Sequence, residues 1–138
     1  MDNISKEHRS WNMSRIRSCN TKPEVRVRQK LHSLGYRFRL HRKDLPGIPD
    51  IVLPKYQTVI FVHGCFWHRH VGCKYAYLPK SRVDFWYNKF FKNVQRDLEI
   101  KNELVRLGWK ILIIWECESK DLLLLEIKLK KYFDDLPD

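Results

Sequence analysis

Asp50-Ile51-Val52-Leu53-Pro54-Lys55-Tyr56-Gln57-Thr58-Val59-Ile60-Phe61-Val62 is the stretch on which the fold turns. Two short apolar runs, Asp50 to Leu53 and Thr58 to Val62, flank a proline-led connection, which reads as a β-hairpin with a buried second strand. Directly after it, residues 63 to 73 hold His63, His68 and His70, Cys65 and Cys73, and the adjacent aromatics Phe66 and Trp67. A cluster of ligands at the end of a core strand is held more firmly than one on a free loop.

Outward from the hairpin, the pattern alternates between elements. Residues 5 to 18 read as a basic helix whose few apolar groups are Trp11, Met13 and Ile16. A second helix starts at Thr21, with Glu24 at capping-box spacing and Pro23 in the first turn, and stops at Gly35. Val25, Leu31 and Leu34 give it an apolar face. Tyr36 to Leu40 alternates apolar and basic residues at strand period, and Leu45 to Pro49 is a turn. Residues 82 to 107 form the longest helix, with Trp86, Phe90, Val94 and Leu98 at steps of four. Trp109 to Trp115 reads as a central strand and residues 120 to 133 as a last helix. The expectation is one α/β (α+β) domain over residues 1–138, a mixed sheet flanked by helices.

The net charge is +11 and uneven: through residue 43 there are twelve Lys/Arg against three Asp/Glu. Arginines interleaved with aromatics, as in Tyr36-Arg37-Phe38-Arg39, point to nucleic acid as the partner. No segment has the ~20 apolar residues of a transmembrane span, which argues against a membrane. The polar N-terminus has no apolar signal region, so the expected setting is the cytoplasm, where the four cysteines stay reduced.

Cys65 and Cys73, with His68 or His70 between them and Cys117 past the late strand, suit a closed structural zinc site; unrelated buried thiols are the plain alternative. Asp50, at a strand end near histidines, suits Mg²⁺, or else is a turn residue. Asp97 lies on the core side of the long helix, to be ligated or paired with Lys101. Glu24 reads as a capping glutamate. His63 and His68 frame the strand end, where one could take a proton from water. Phe66 and Trp67 either pack around the metal or wedge between base pairs.

Taken together, Arg9-Ser10-x-Asn12-Met13, Thr21-x-Pro23-Glu24, Leu45-Pro46-Gly47-x-Pro49-Asp50, Val59 through His68, Phe85-Trp86, Lys92-Asn93-x-x-Arg96-Asp97 and Gly108-Trp109 through Cys117 resemble the very short patch repair (Vsr) endonucleases over residues 8 to 133. The resemblance implies a restriction-endonuclease-like fold. It implies Mg²⁺ on Asp50 and the main-chain carbonyl of Val62, with Glu24, His63 and Asp97 holding the waters around it. His68 would be the general base, and Cys65, His70, Cys73 and Cys117 the zinc ligands. Residues 1–20 would form a DNA-contacting helix, with Met13, Phe66 and Trp67 inserting beside a T·G mismatch. The implied reaction is a nick 5′ of the mismatched thymine, which initiates repair. It implies a monomer at the bacterial nucleoid, with mismatch-repair proteins as further partners. Position 62 is often Thr in the family and is Val here, which matters little if only its carbonyl binds. The spacing from His70 to Cys73 is one residue longer than the family pattern. Two other readings stay open: a restriction-type nuclease with another target, and a zinc-containing DNA-binding module without catalysis.

Overall fold

The computed structural model describes residues 20–137. The expected first helix, with Met13, lies outside the described residues. Helix α1 (Lys22–Ser33) begins where its cap requires: the Thr21 hydroxyl accepts the Glu24 N–H at 3.4 Å, and Pro23 fills the first turn. Gly35 follows the helix at φ +88°, a left-handed conformation that costs glycine little. The buried stripe is Glu24, Val27 and Leu31, at steps of three and four. Val25, expected inside, is only half-buried because it lies off that stripe.

The expected strand from Tyr36 to Leu40 contracts to β1 (Arg39–Leu40). Tyr36 turns inward instead, stacking on Phe133 at 4.5 Å and meeting Tyr56 edge-on at 5.7 Å. Burying that ring outweighs extending an exposed ladder. The hairpin forms as expected: β2 (Ile51–Leu53) and β3 (Thr58–His63) pair antiparallel across a 3-10 turn at Pro54–Tyr56.

Helix α2 (Val83–Arg106) carries the chain back across the sheet, so that β4 (Lys110–Trp115) can lie parallel to β3. The sheet order is β1-β2-β3-β4. β4 was expected to be central; among the described residues it is an edge strand. Its apolar run has another cause, because helices cover both its faces. Leu112 and Ile114 face α1 and the last helix, while Ile111 faces α2.

The step-of-four stripe on α2 is also corrected. Four residues overshoot a full turn by about 40°, so such a line drifts off the core. Val94 and Leu98 expose 46% and 57% of their surface. The inward line runs through Trp86, Phe90, Asn93, Asp97, Ile100 and Leu104. The helix expected at 120 to 133 forms as α4 (Leu122–Asp134), preceded by a short helix α3 (Glu116–Ser119) that was not expected. Asp121 separates them as N-cap, accepting the N–H groups of Leu123 and Leu124 at 3.1 and 3.2 Å.

The result is three layers. One face of the sheet packs Ile51, Leu53 and Ile60 against Val27 and Leu31 of α1 and Leu125, Leu129 and Phe133 of α4. The other packs Val52 and Val59 against Leu104 of α2. Among the described residues no helix is long and apolar enough to cross a membrane. Strand direction places the chemistry. The start of β2, the end of β3 and the end of β4 all come to one end of the sheet.

Candidate active site and metal centre

Asp50 immediately precedes β2, opposite the last turns of β3. Its Oδ2 accepts the Val62 N–H at 2.7 Å. A strand residue directs its own N–H and C=O to the same neighbour, so the Val62 carbonyl faces the same edge as its amide. β2 pairs with β3 only from Ile51 to Leu53, which leaves that edge open to Asp50. Burial is the main cause that pushes the Asp50 carboxyl up to about 6, with the Glu24 carboxylate adding to it. The Val62 amide and His41 oppose the shift.

Glu24 comes to the same place from α1 and is 4% exposed. It is no reciprocal capping glutamate. Its Oε2 accepts the Asn20 N–H at 2.9 Å and the His41 Nε2–H at 3.1 Å. Ligand atoms of Glu24, His41 and Asp50 lie within 4.8 Å of one another. His41 was not singled out from sequence. Its signal would have been the register Arg39↔Val52 and Leu40↔Ile51, which continues to His41 opposite Asp50.

A second group sits at the end of β3. His63 is buried at the last position of the strand, and the His68 ring stacks on it at 3.8 Å, 6° from parallel. Burial, then the neighbouring His68, pushes His63 down to about 4, so it is neutral at physiological pH. Asp97 does not pair with Lys101. Its Oδ2 meets His68 Nδ1 at 2.6 Å. An ionised carboxylate only accepts, so Nδ1 carries the hydrogen and Nε2 is left with its lone pair. Asp97 therefore fixes one tautomer of His68, and His63 fixes the plane of its ring.

The third group answers the question of which histidine joins the cysteines. Register sets His63 opposite Trp115, so Cys65 and Cys117 each lie two residues beyond that pair. The ligand atoms of Cys65, His70, Cys73 and Cys117 fall within 4.8 Å of one another. His70, not His68, belongs to this set, and the indole of Trp115 stacks on it at 4.3 Å. Burial pushes the Cys65 thiol up to about 12. Four soft or borderline donors converging in this way could hold a metal ion.

Phe66 and Trp67 are both half-buried. Phe66 meets Trp67, Tyr77, Trp86 and Phe90 with centroids 5.1 to 5.4 Å apart. The Asn93 side chain donates to the Trp67 carbonyl at 3.3 Å. Sequence reading also passed over Arg69. Its guanidinium donates to the carbonyls of Phe66, Ala76 and Tyr77 and lies 3.9 Å from the Phe90 centroid. It clamps the loop that presents the two aromatics.

Comparison with known proteins places this arrangement among DNA nucleases. Residues 1–74 match the family model described as DNA mismatch endonuclease Vsr. The chain is 52% identical over 133 residues to the type II nicking enzyme V.XorIIP of Xanthomonas oryzae pv. oryzae, covering 96% of this chain and 97% of that relative. It is 42% identical to the type II nicking enzyme V.NmeAIP of Neisseria meningitidis, over 99% of this chain and 97% of that one. The DNA mismatch endonuclease Vsr of Escherichia coli is 45% identical over 81% of this chain and 71% of its own length.

Proposed function

The chain belongs to the Vsr family of DNA mismatch endonucleases, and on that premise we propose that it nicks duplex DNA 5′ of the thymine in a T·G mismatch, with Mg²⁺ at Asp50. That it is a DNA endonuclease follows from the family. The observation that best supports the finer reading is the oriented His68–Asp97 pair beside a separate group of oxygen donors at one strand end.

The oxygen donors fit Mg²⁺, which takes one or two carboxylates and keeps several waters. Asp50 and the Val62 carbonyl would hold the ion and Glu24 its waters. When bound, Mg²⁺ supplies positive charge against the phosphate and acidifies water. The remaining work falls to side chains. His68 takes the proton of the attacking water on Nε2, while Asp97 keeps Nδ1–H in place and offsets the imidazolium charge. His63 stays neutral beneath it, so the stacked pair carries one positive charge rather than two. The thiolates of Cys65, Cys73 and Cys117 with His70 would hold zinc. That would tie the loop carrying His68 to the end of β4.

Mismatch selection is proposed to rest on Phe66 and Trp67, with Met13 entering from the opposite groove. Unstacking a step costs a few kcal/mol and costs least at a mismatch, which is how a wedge selects it. Trp67→Ala is expected to lower the preference for T·G over matched duplex by about tenfold or more, on the scale of ~1–3 kcal/mol per stacked base. Nicking rates on paired T·G and T·A duplexes measure it; an unchanged ratio removes Trp67 from recognition.

The function itself is tested with a panel of end-labelled duplexes, each holding one mismatch in varied flanking sequence. The expected result is a single-strand break 5′ of the thymine in T·G duplexes, in Mg²⁺. Equal cutting of fully matched duplexes would instead favour a restriction-type nuclease. Such an enzyme acts where bacterial DNA lies, in the cytoplasm.

A further inference from the structure

The proposed catalytic scheme leaves one buried-side contact unused. His41 lies between Glu24 and Asp50 and belongs to neither the base nor the cysteine group. We propose that His41 is a positioning residue of the Mg²⁺ site, holding the Glu24 carboxylate in register with Asp50. This rests on the reading of Glu24 and Asp50 given above.

Three features carry the assignment. The first is register. Arg39 pairs with Val52 and Leu40 with Ile51, so the β1–β2 ladder brings His41 opposite Asp50, and the His41 N–H donates to the Asp50 carbonyl at 3.4 Å. Residues opposed in this way have Cβ atoms about 5 Å apart. The second is backbone conformation. His41 sits at φ +47°, in the left-handed region that non-glycine residues seldom adopt, where the chain leaves the strand. Such a conformation persists where surrounding contacts hold it. The third is the direction of the side chain. Nε2–H donates to Glu24 Oε2 at 3.1 Å, from a ring a quarter exposed to a carboxylate almost fully buried.

The consequence lies in how Glu24 is oriented. The bonds from the Asn20 N–H and from His41 Nε2–H land on the same oxygen, Oε2. The Glu24 carboxyl also meets that of Asp50. A buried glutamate held from one side by a backbone amide alone could rotate about its last torsion. The imidazole, anchored to the opposite strand, removes that freedom. It also sets a donor between two carboxylates whose oxygens approach within 4.8 Å. Groups that orient the partners of a metal in this way typically change metal affinity or activity 10–100-fold when removed.

The test measures ion binding rather than turnover. Mn²⁺ affinity is read by electron paramagnetic resonance of the free ion, with full-length protein on a T·G duplex in a His68→Ala background. In that background His41→Ala is expected to weaken Mn²⁺ about tenfold. His41→Gln should stay within about threefold, because the glutamine amide N–H can take the place of Nε2–H. Thermal unfolding of each variant shows whether it folds, and the glutamine variant keeps the test sharp if the alanine variant does not. Equal weakening in His41→Gln and His41→Ala overturns the hydrogen-bonding role. Unchanged affinity in His41→Ala, with weakening in Glu24→Gln, overturns the proposal and leaves the site reading standing. Unchanged affinity in Glu24→Gln overturns the site reading and the proposal with it.

Discussion

Asp50→Asn is expected to lower nicking by about 10³-fold or more and at the same time to stabilise the metal-free protein at pH 8. The first effect follows from the proposed ion site. An amide is a weaker ligand than a carboxylate, and losing the charge placed against the phosphate is worth several kcal/mol in the transition state. The second follows from burial. The Asp50 carboxyl titrates at about 6 in the fold against 3.8 when free. Between those values the folded chain binds more protons than the unfolded chain, so stability falls as pH rises from about 4 to about 6. Above pH 6 the cost is fully present, on the order of 2–3 kcal/mol at 1.36 kcal/mol per tenfold change. Asparagine removes that cost and can still accept the Val62 N–H. His63 acts with the opposite sign. Held down at about 4 against 6.5, it adds stability as pH rises between those values. It does so equally in both proteins, so their difference isolates Asp50. Denaturant unfolding with a chelator at pH 5 and pH 8 measures it. The advantage of the variant should be about half as large at pH 5 as at pH 8. A variant that nicks at the parent rate, or is no more stable at pH 8, sinks the assignment.

Cys65→Ser is expected to remove bound zinc and lower the melting temperature by at least about 10 °C, as a loss of roughly 3–4 kcal/mol does in a domain of this size. The loop from Gly64 to Arg82 contributes Cys65 as its only buried apolar group, so little besides the cysteine cluster, the aromatics and Arg69 holds it. Protein purified without added metal should contain about one zinc per chain by atomic absorption. Because burial pushes the Cys65 thiol up to about 12, zinc must displace its proton, and affinity should fall as pH falls. Metal-free protein with an unchanged melting temperature would contradict a structural role for the centre.

The hairpin and the cysteine set were legible for a simple reason. Continuous apolar runs of three and four residues, set on either side of a proline-led turn and followed by polar ligands, have few other uses. The helix cap at Thr21 was equally plain, since hydroxyl, proline and glutamate stand in fixed order. Other features were not legible. A step of four looks helical, yet over three steps it leaves the core, and so Val94 and Leu98 misled while the inward places of Asn93 and Ile100 were missed. An apolar strand reads as central whether strands or helices cover it, and β4 is covered by helices. Glu24 satisfied a capping pattern in sequence, yet its side chain serves His41 and the Asn20 amide.

The sequence alone determined which side chains were available: cysteines and histidines able to hold a metal, carboxylates that can sit beside them, and an excess of basic residues. Those depend on side-chain type and on short spacing, which covalent order fixes. Tertiary structure decided how they divide. It set His70 with the cysteines and His68 with Asp97, although the two histidines stand only two residues apart in the chain. It also brought His41 to Glu24 across seventeen residues. Such pairings follow from strand direction and register, where a shift of one residue turns every side chain to the other face.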